Sequence, residues 1–63
     1  MGAKQHAKED ARIWHEDPSQ SNDKGEPQRF EGVVKCNLSA QFVYVTDDGH
    51  TRHCELHHRW GYV

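Results

Sequence analysis

Apolar residues crowd into the second half of this chain. From Glu31 to Arg59 they recur in short alternating runs separated by turn residues, the pattern of β-strands. Residues 30–63 hold fifteen of the twenty-one hydrophobic side chains, so any core is expected there. Phe30 to Cys36 predicts a first strand, and Asn37 to Ala40 a turn or bulge. Gln41 to Thr46 predicts the clearest strand, because β-branched and aromatic residues fill almost every position. Alternation puts Phe42, Tyr44 and Thr46 on one face and Gln41, Val43 and Val45 on the other. Both faces are largely apolar, so one is expected to meet a partner or a helix carrying Trp14. Asp47-Asp48-Gly49 predicts a hairpin, since Asp-Gly tolerates the positive φ angles of tight turns. Thr51 to Leu56 then returns as a third strand, with Cys54 and Leu56 as its core members. The last seven residues, HHRWGYV, fit either a helical turn or an extended tail.

The first half reads differently. Residues 3–16 contain good helix formers and neither Gly nor Pro, with Ala3, Ala7, Ala11 and Trp14 at helical spacing and Asp17-Pro18 as a stop. So thin a stripe predicts a helix that forms only when Trp14 docks. Residues 17–29 are polar, hold two prolines and no hydrophobic residue, and predict a flexible linker. The expected fold class is mainly β, formally α+β: a three-stranded antiparallel meander over 30–63, preceded by a helix or disordered arm over 1–29.

Sixty-three residues allow one small domain, and a mean hydropathy of −1.10 is close to that of disordered chains. No apolar run suits a membrane span or a leader peptide, so a cytoplasmic protein without a membrane role is expected. In that compartment Cys36 and Cys54 are expected as reduced thiols. The net charge of −2 conceals an asymmetry: residues 1–31 carry five basic and seven acidic side chains, residues 32–63 three of each. From His50 onward, Arg52 and Arg59 face only Glu55, with His50, His53, His57 and His58 beside them. A nearby phosphate would favour the imidazolium forms, so this end is a conditional cation.

Little in the chain suggests catalysis. Cys36, Cys54 and the histidines are metal-competent, but their spacing matches no standard zinc pattern, and no metal or cofactor is expected. His53 and Cys54 are neighbours on a strand and point to opposite faces, so they make no nucleophile pair. Phosphate-cradling loops and nucleophile elbows are absent, and no enzyme activity is expected. Single-stranded nucleic acid, by contrast, is gripped by aromatic stacking with cations along the backbone path. Lys35, Arg52, His53, His58, Arg59 and Trp60 supply those types, the cations for phosphate and Trp60 for stacking. A protein partner is the rival, with Trp14 and Tyr44 as its anchors.

The segments Glu31-Gly32-Val33-Val34, Asp48-Gly49, His53-Cys54-Glu55-Leu56 and His57-His58-Arg59 resemble the N-terminal OB-fold of the ribosome-small-subunit-dependent GTPases (the RsgA type). The hairpin and the strand before it are similar to translation initiation factor 1 as well. The resemblance covers residues 29–60 and implies an incomplete OB-like module on RNA or the small ribosomal subunit. Two departures stand out: histidines occupy the positions of a basic pair, and the last two barrel strands and the GTPase domain are missing. The leading expectation is therefore a non-enzymatic RNA- or ribosome-binding protein. The alternative is a small regulator, of the phage-encoded kind, that binds a protein machine such as RNA polymerase.

Overall fold

The structure, a computed structural model, describes residues 6–63. These form five strands: β1 (Arg12–Ser21), β2 (Pro27–Asn37), β3 (Gln41–Thr46), β4 (Thr51–Glu55) and β5 (Arg59–Tyr62). All neighbours are antiparallel, in the order β4-β3-β2-β1-β5. β4 and β5 are thus the two ends of the sheet, yet only residues 56–58 connect them. In a flat sheet those ends would stand about 19 Å apart, at ~4.8 Å per strand. The four Cα steps from Glu55 to Arg59 reach at most about 14 Å. The sheet must therefore curl, and side chains meet across its concave face. Phe42 of β3 packs its ring edge against Trp60 of β5 with centroids 5.0 Å apart.

Gly32 makes the curl possible. It lies on the concave side of β2, between Ile13 and Thr46 in the strand register. A Cβ there would come within 2.2 Å of the Val45 carbonyl oxygen, so only glycine lets β2 and β3 close to this distance. The core that results is small: Ala7, Ile13, Val34, Phe42, Tyr44 and Cys54, with Phe30, Leu56 and Trp60 packed against it.

The mainly β expectation holds, and so do the hairpin and the strand bounds of β3. Thr46 donates its amide to the His50 carbonyl and Gly49 takes φ +89°. The expected helix is not observed; its residues 3–5 lie outside the described residues, and Arg12 to Glu16 belong to β1. Ile13, His15 and Asp17 alternate toward the interior at period two, but two of the three are polar, which hid the strand. The expected linker is corrected as well: it forms the outer part of the β1–β2 hairpin. Asn22 closes the tip by accepting the Lys24 and Glu26 amides on its Oδ1, while Gly25 takes φ +79°. Pro18 falls in the register shift between Asp17 and Ser21, and Pro27 is the first residue of β2, positions that need no ladder amide. The three-stranded meander becomes five strands, and the division between residues 29 and 30 falls inside β2. A five-stranded antiparallel sheet does not by itself identify an OB-fold.

Candidate functional site

At one end of the curled sheet the interior turns polar. His15 is fully buried, and its Nδ1 lies 2.8 Å from the Tyr44 hydroxyl while its Nε2 lies 2.9 Å from Nδ1 of His58. The chain Tyr44–His15–His58 can be satisfied with the donors running in either direction, because a neutral imidazole has one donor and one acceptor nitrogen. Asp17, two residues along the same face, accepts the Ser19 amide and hydroxyl on Oδ1 and Arg52 on Oδ2 at 3.1 Å. Arg52 also lies over the Phe30 ring at 3.7 Å, and its Nε is buried without a hydrogen-bond partner.

This setting fixes protonation. Burial pushes the His15 pKa down from 6.5 to about 4; Asp17 opposes this, while His58 and Arg52 reinforce it. Burial also raises Tyr44 to about 12 and Cys54 to about 12, leaving a neutral phenol and a protonated, unreactive thiol at neutral pH. For Asp17, burial works against ionisation, yet the hydrogen bonds from Ser19 and Arg52 outweigh it and hold the carboxyl below its usual range.

An acid sensitivity follows for the metal-free chain. Between the unfolded His15 value of 6.5 and the folded value of about 4, the unfolded state binds the extra proton, so stability falls as pH falls. Discounted for solvent screening at the open end of the sheet, the expected loss is about 2 kcal/mol. Asp17 adds to it at lower pH, since its depressed pKa gives stability that disappears as the carboxylate is protonated. Urea midpoints at pH 7, 5.5 and 4.5, with chelator present, check this. A midpoint that does not move contradicts a neutral buried His15.

The residues singled out from the sequence separate into three groups. His58 and Arg59 come together: with Glu16, Pro18, Pro27 and His57 they line a cleft of about 160 Å³ between the β1–β2 hairpin and the β4–β5 turn. Arg59 is exposed there, its Nε 3.7 Å from Glu16. Lys35 and His53 lie elsewhere on the outside, Lys35 at the β2 register shift and His53 opposite Val43 on β4. Arg52 and Trp60 are drawn inward, Arg52 onto Asp17 and Trp60 onto Phe42, because the curl brings β4 and β5 over β1 and β3. Trp14 keeps a half-buried outer position, with Arg29 4.6 Å from its ring centroid and Gly61 leaving room for the indole. Tyr44 is fully buried and presents no surface to a partner.

No protein-family model, curated protein or solved structure matches this chain. Sequence reasoning missed His15 and Asp17, which it placed in a helix and a linker. The available signal was the period-two spacing of Ile13, His15 and Asp17. Among the described residues no helix is long and apolar enough to cross a membrane.

Proposed function

We propose that this chain is a small non-enzymatic binding module that takes single-stranded RNA, free or on a particle such as the small ribosomal subunit, at the cleft beside the β4–β5 turn. The observation that carries the reading is the composition of that cleft: two imidazoles, two prolines and Arg59 around one concavity, with Glu16 as its single carboxylate. Flat rings and guanidinium planes are what unstacked bases lie against, and Arg59 supplies the phosphate contact. The OB-like resemblance of residues 29–60 points to the same ligand class, and the cytoplasm is the compartment that suits it. Lys35 and His53 do not line the cleft and take no part in this contact; Arg52 and Trp60 support it from within.

With a net charge of −2 and few cations at the cleft, the affinity depends only shallowly on salt. One or two phosphate contacts correspond to a slope of about −0.7 to −1.4 in log K against log salt. Titrating a fluorescently labelled single-stranded RNA into the chain tests the assignment. The double variant His57→Ala with Arg59→Ala is expected to bind at least tenfold more weakly. Unchanged affinity in a folded double variant would remove RNA from the cleft.

One observation favours the second reading, a regulator docked on a protein machine such as RNA polymerase. Val33, Val43 and Val45 are only partly covered on the outer face of β2 and β3, and Trp14 is half-buried on the outer side of β1. Partly covered apolar side chains of this kind suit a protein interface. Affinity capture with and without nuclease separates the two readings, since RNA-dependent capture supports the first and nuclease-resistant capture of a defined protein the second.

A further inference from the structure

The polar cluster behind the cleft holds ligand chemistry beyond the proposed RNA contact, with which it shares only His58. His15, Asp17 and His58 each offer one nitrogen or carboxylate oxygen, and these atoms lie within 4.8 Å of one another. We infer that these three residues form a binding site for a divalent transition-metal ion of the zinc, cobalt and nickel class. Imidazole and carboxylate ligands are borderline donors that suit these ions.

Three features of the geometry support the assignment. First, His15 and His58 face each other nitrogen to nitrogen at 2.9 Å, with ring planes within 10° of parallel. Two metal–nitrogen bonds of about 2.05 Å at a tetrahedral angle span about 3.3 Å, so an ion replacing the shared proton needs only a small opening and a turn of one ring. His58 can make that movement, being half-buried in the turn that joins β4 to β5, whereas His15 is fixed within the core.

Second, the outer contacts that orient metal ligands are already in place. A ligating histidine usually donates its other N–H to an acceptor, which leaves the facing nitrogen bare. Tyr44 sits 2.8 Å from His15 Nδ1, and when its oxygen accepts that proton the Nε2 lone pair points toward His58. Ser19 and Arg52 likewise hold the Asp17 carboxylate in one orientation: Ser19 takes both lone pairs of Oδ1 with its amide and hydroxyl, and Arg52 takes one on Oδ2, leaving the second lone pair of Oδ2 for an ion. Arg52 repels a cation here, so the ion's attraction rests on the Asp17 carboxylate and the two facing imidazole nitrogens. Third, His58 also lines the cleft, so the site borders a space that solvent and a small ligand can enter. Three protein ligands with an accessible position is the arrangement of reactive or exchangeable metal sites.

A neighbouring group competes for the assignment. Glu55, His57 and His58 also place ligand atoms within 4.8 Å of one another, but Glu55 and His57 are exposed, and no buried group orients them. The test is a titration of the untagged full chain with zinc chloride, followed by the ring-nitrogen signals of the histidines in long-range ¹H–¹⁵N spectra. One ion per chain is expected to shift both His15 Nε2 and His58 Nδ1. His58→Gln is expected to weaken binding at least tenfold, and His57→Gln and Glu55→Gln to leave it within about twofold. The amide spectrum of His58→Gln shows whether that variant folds; if it does not, the wild-type His15 signal decides alone. A His15 ring that stays unshifted at saturating zinc overturns the site. So does a loss on His57→Gln as large as that on His58→Gln, which would put the ion on the exposed cluster.

Discussion

Replacing Gly32 by alanine is expected to remove about 3 kcal/mol of stability or more, at least a third of what a domain this small has. The added Cβ would meet the Val45 carbonyl oxygen at 2.2 Å, the Val45 carbonyl carbon at 2.7 Å and the Thr46 Cα at 2.9 Å. All three are backbone atoms, so no side-chain rotation relieves the clash and the β2–β3 ladder itself has to open. A domain of this length has a total stability of only about 3–9 kcal/mol. Gly25→Ala is the comparison. It sits at a turn, with φ +79°, but a Cβ there would touch nothing, so only the conformational cost of about 1 kcal/mol applies. Urea or thermal unfolding followed by circular dichroism measures both. A Gly32→Ala chain as stable as Gly25→Ala would mean that β2 and β3 are not this close at the bend.

Removing the Asp17 carboxylate is the second large effect, with an expected cost of about 3 kcal/mol for Asp17→Ala. The side chain of Asp17 is 10% exposed and that of Arg52 23%, so the guanidinium would lose its counterion in a largely dry place. Its Nε already lacks a partner, and the Ser19 hydroxyl would lose its acceptor too. Losing one member of a buried pair costs more than the pair contributes, because the remaining charge stays desolvated. Combining Asp17→Ala with Arg52→Met tests this directly. The methionine keeps an apolar stem against Phe30 without the charge, and the double variant is expected to recover at least half of the loss. If it is no better than the single variant, the cost lies in lost packing or in Ser19 rather than in the stranded cation.

Both predictions concern positions whose importance the sequence only half disclosed. Gly32 was visible as part of an Glu-Gly-Val-Val run, but its role depends on the distance to Val45, a residue thirteen positions away on another strand. Asp17 looked like the stop of a helix because Pro18 follows it. Its partner Arg52 is thirty-five residues distant and looked like a free cation on a third strand. Trp60 likewise read as a stacking residue for RNA until the curl brought it against Phe42. In each case a local pattern was read correctly for residue type but lacked the long-range pairing that sets its environment. His58 and Arg59 were more legible in position, since they lie in a short turn and the edge strand that follows, beside the cleft they line.

What the sequence determined alone is the local part of the fold. The β-branched and aromatic run of β3, the Asp-Asp-Gly turn, and the return through Cys54 specify a hairpin whatever surrounds it, because turn geometry and period-two burial act over a few residues. Tertiary structure decided the rest. A largely polar stretch such as His15-Glu16-Asp17 becomes part of an interior strand only when Tyr44, His58, Ser19 and Arg52 are present to satisfy the side chains it buries. Short-range propensity cannot register that satisfaction. It exists only once three residues between β4 and β5 have forced the two ends of the sheet together.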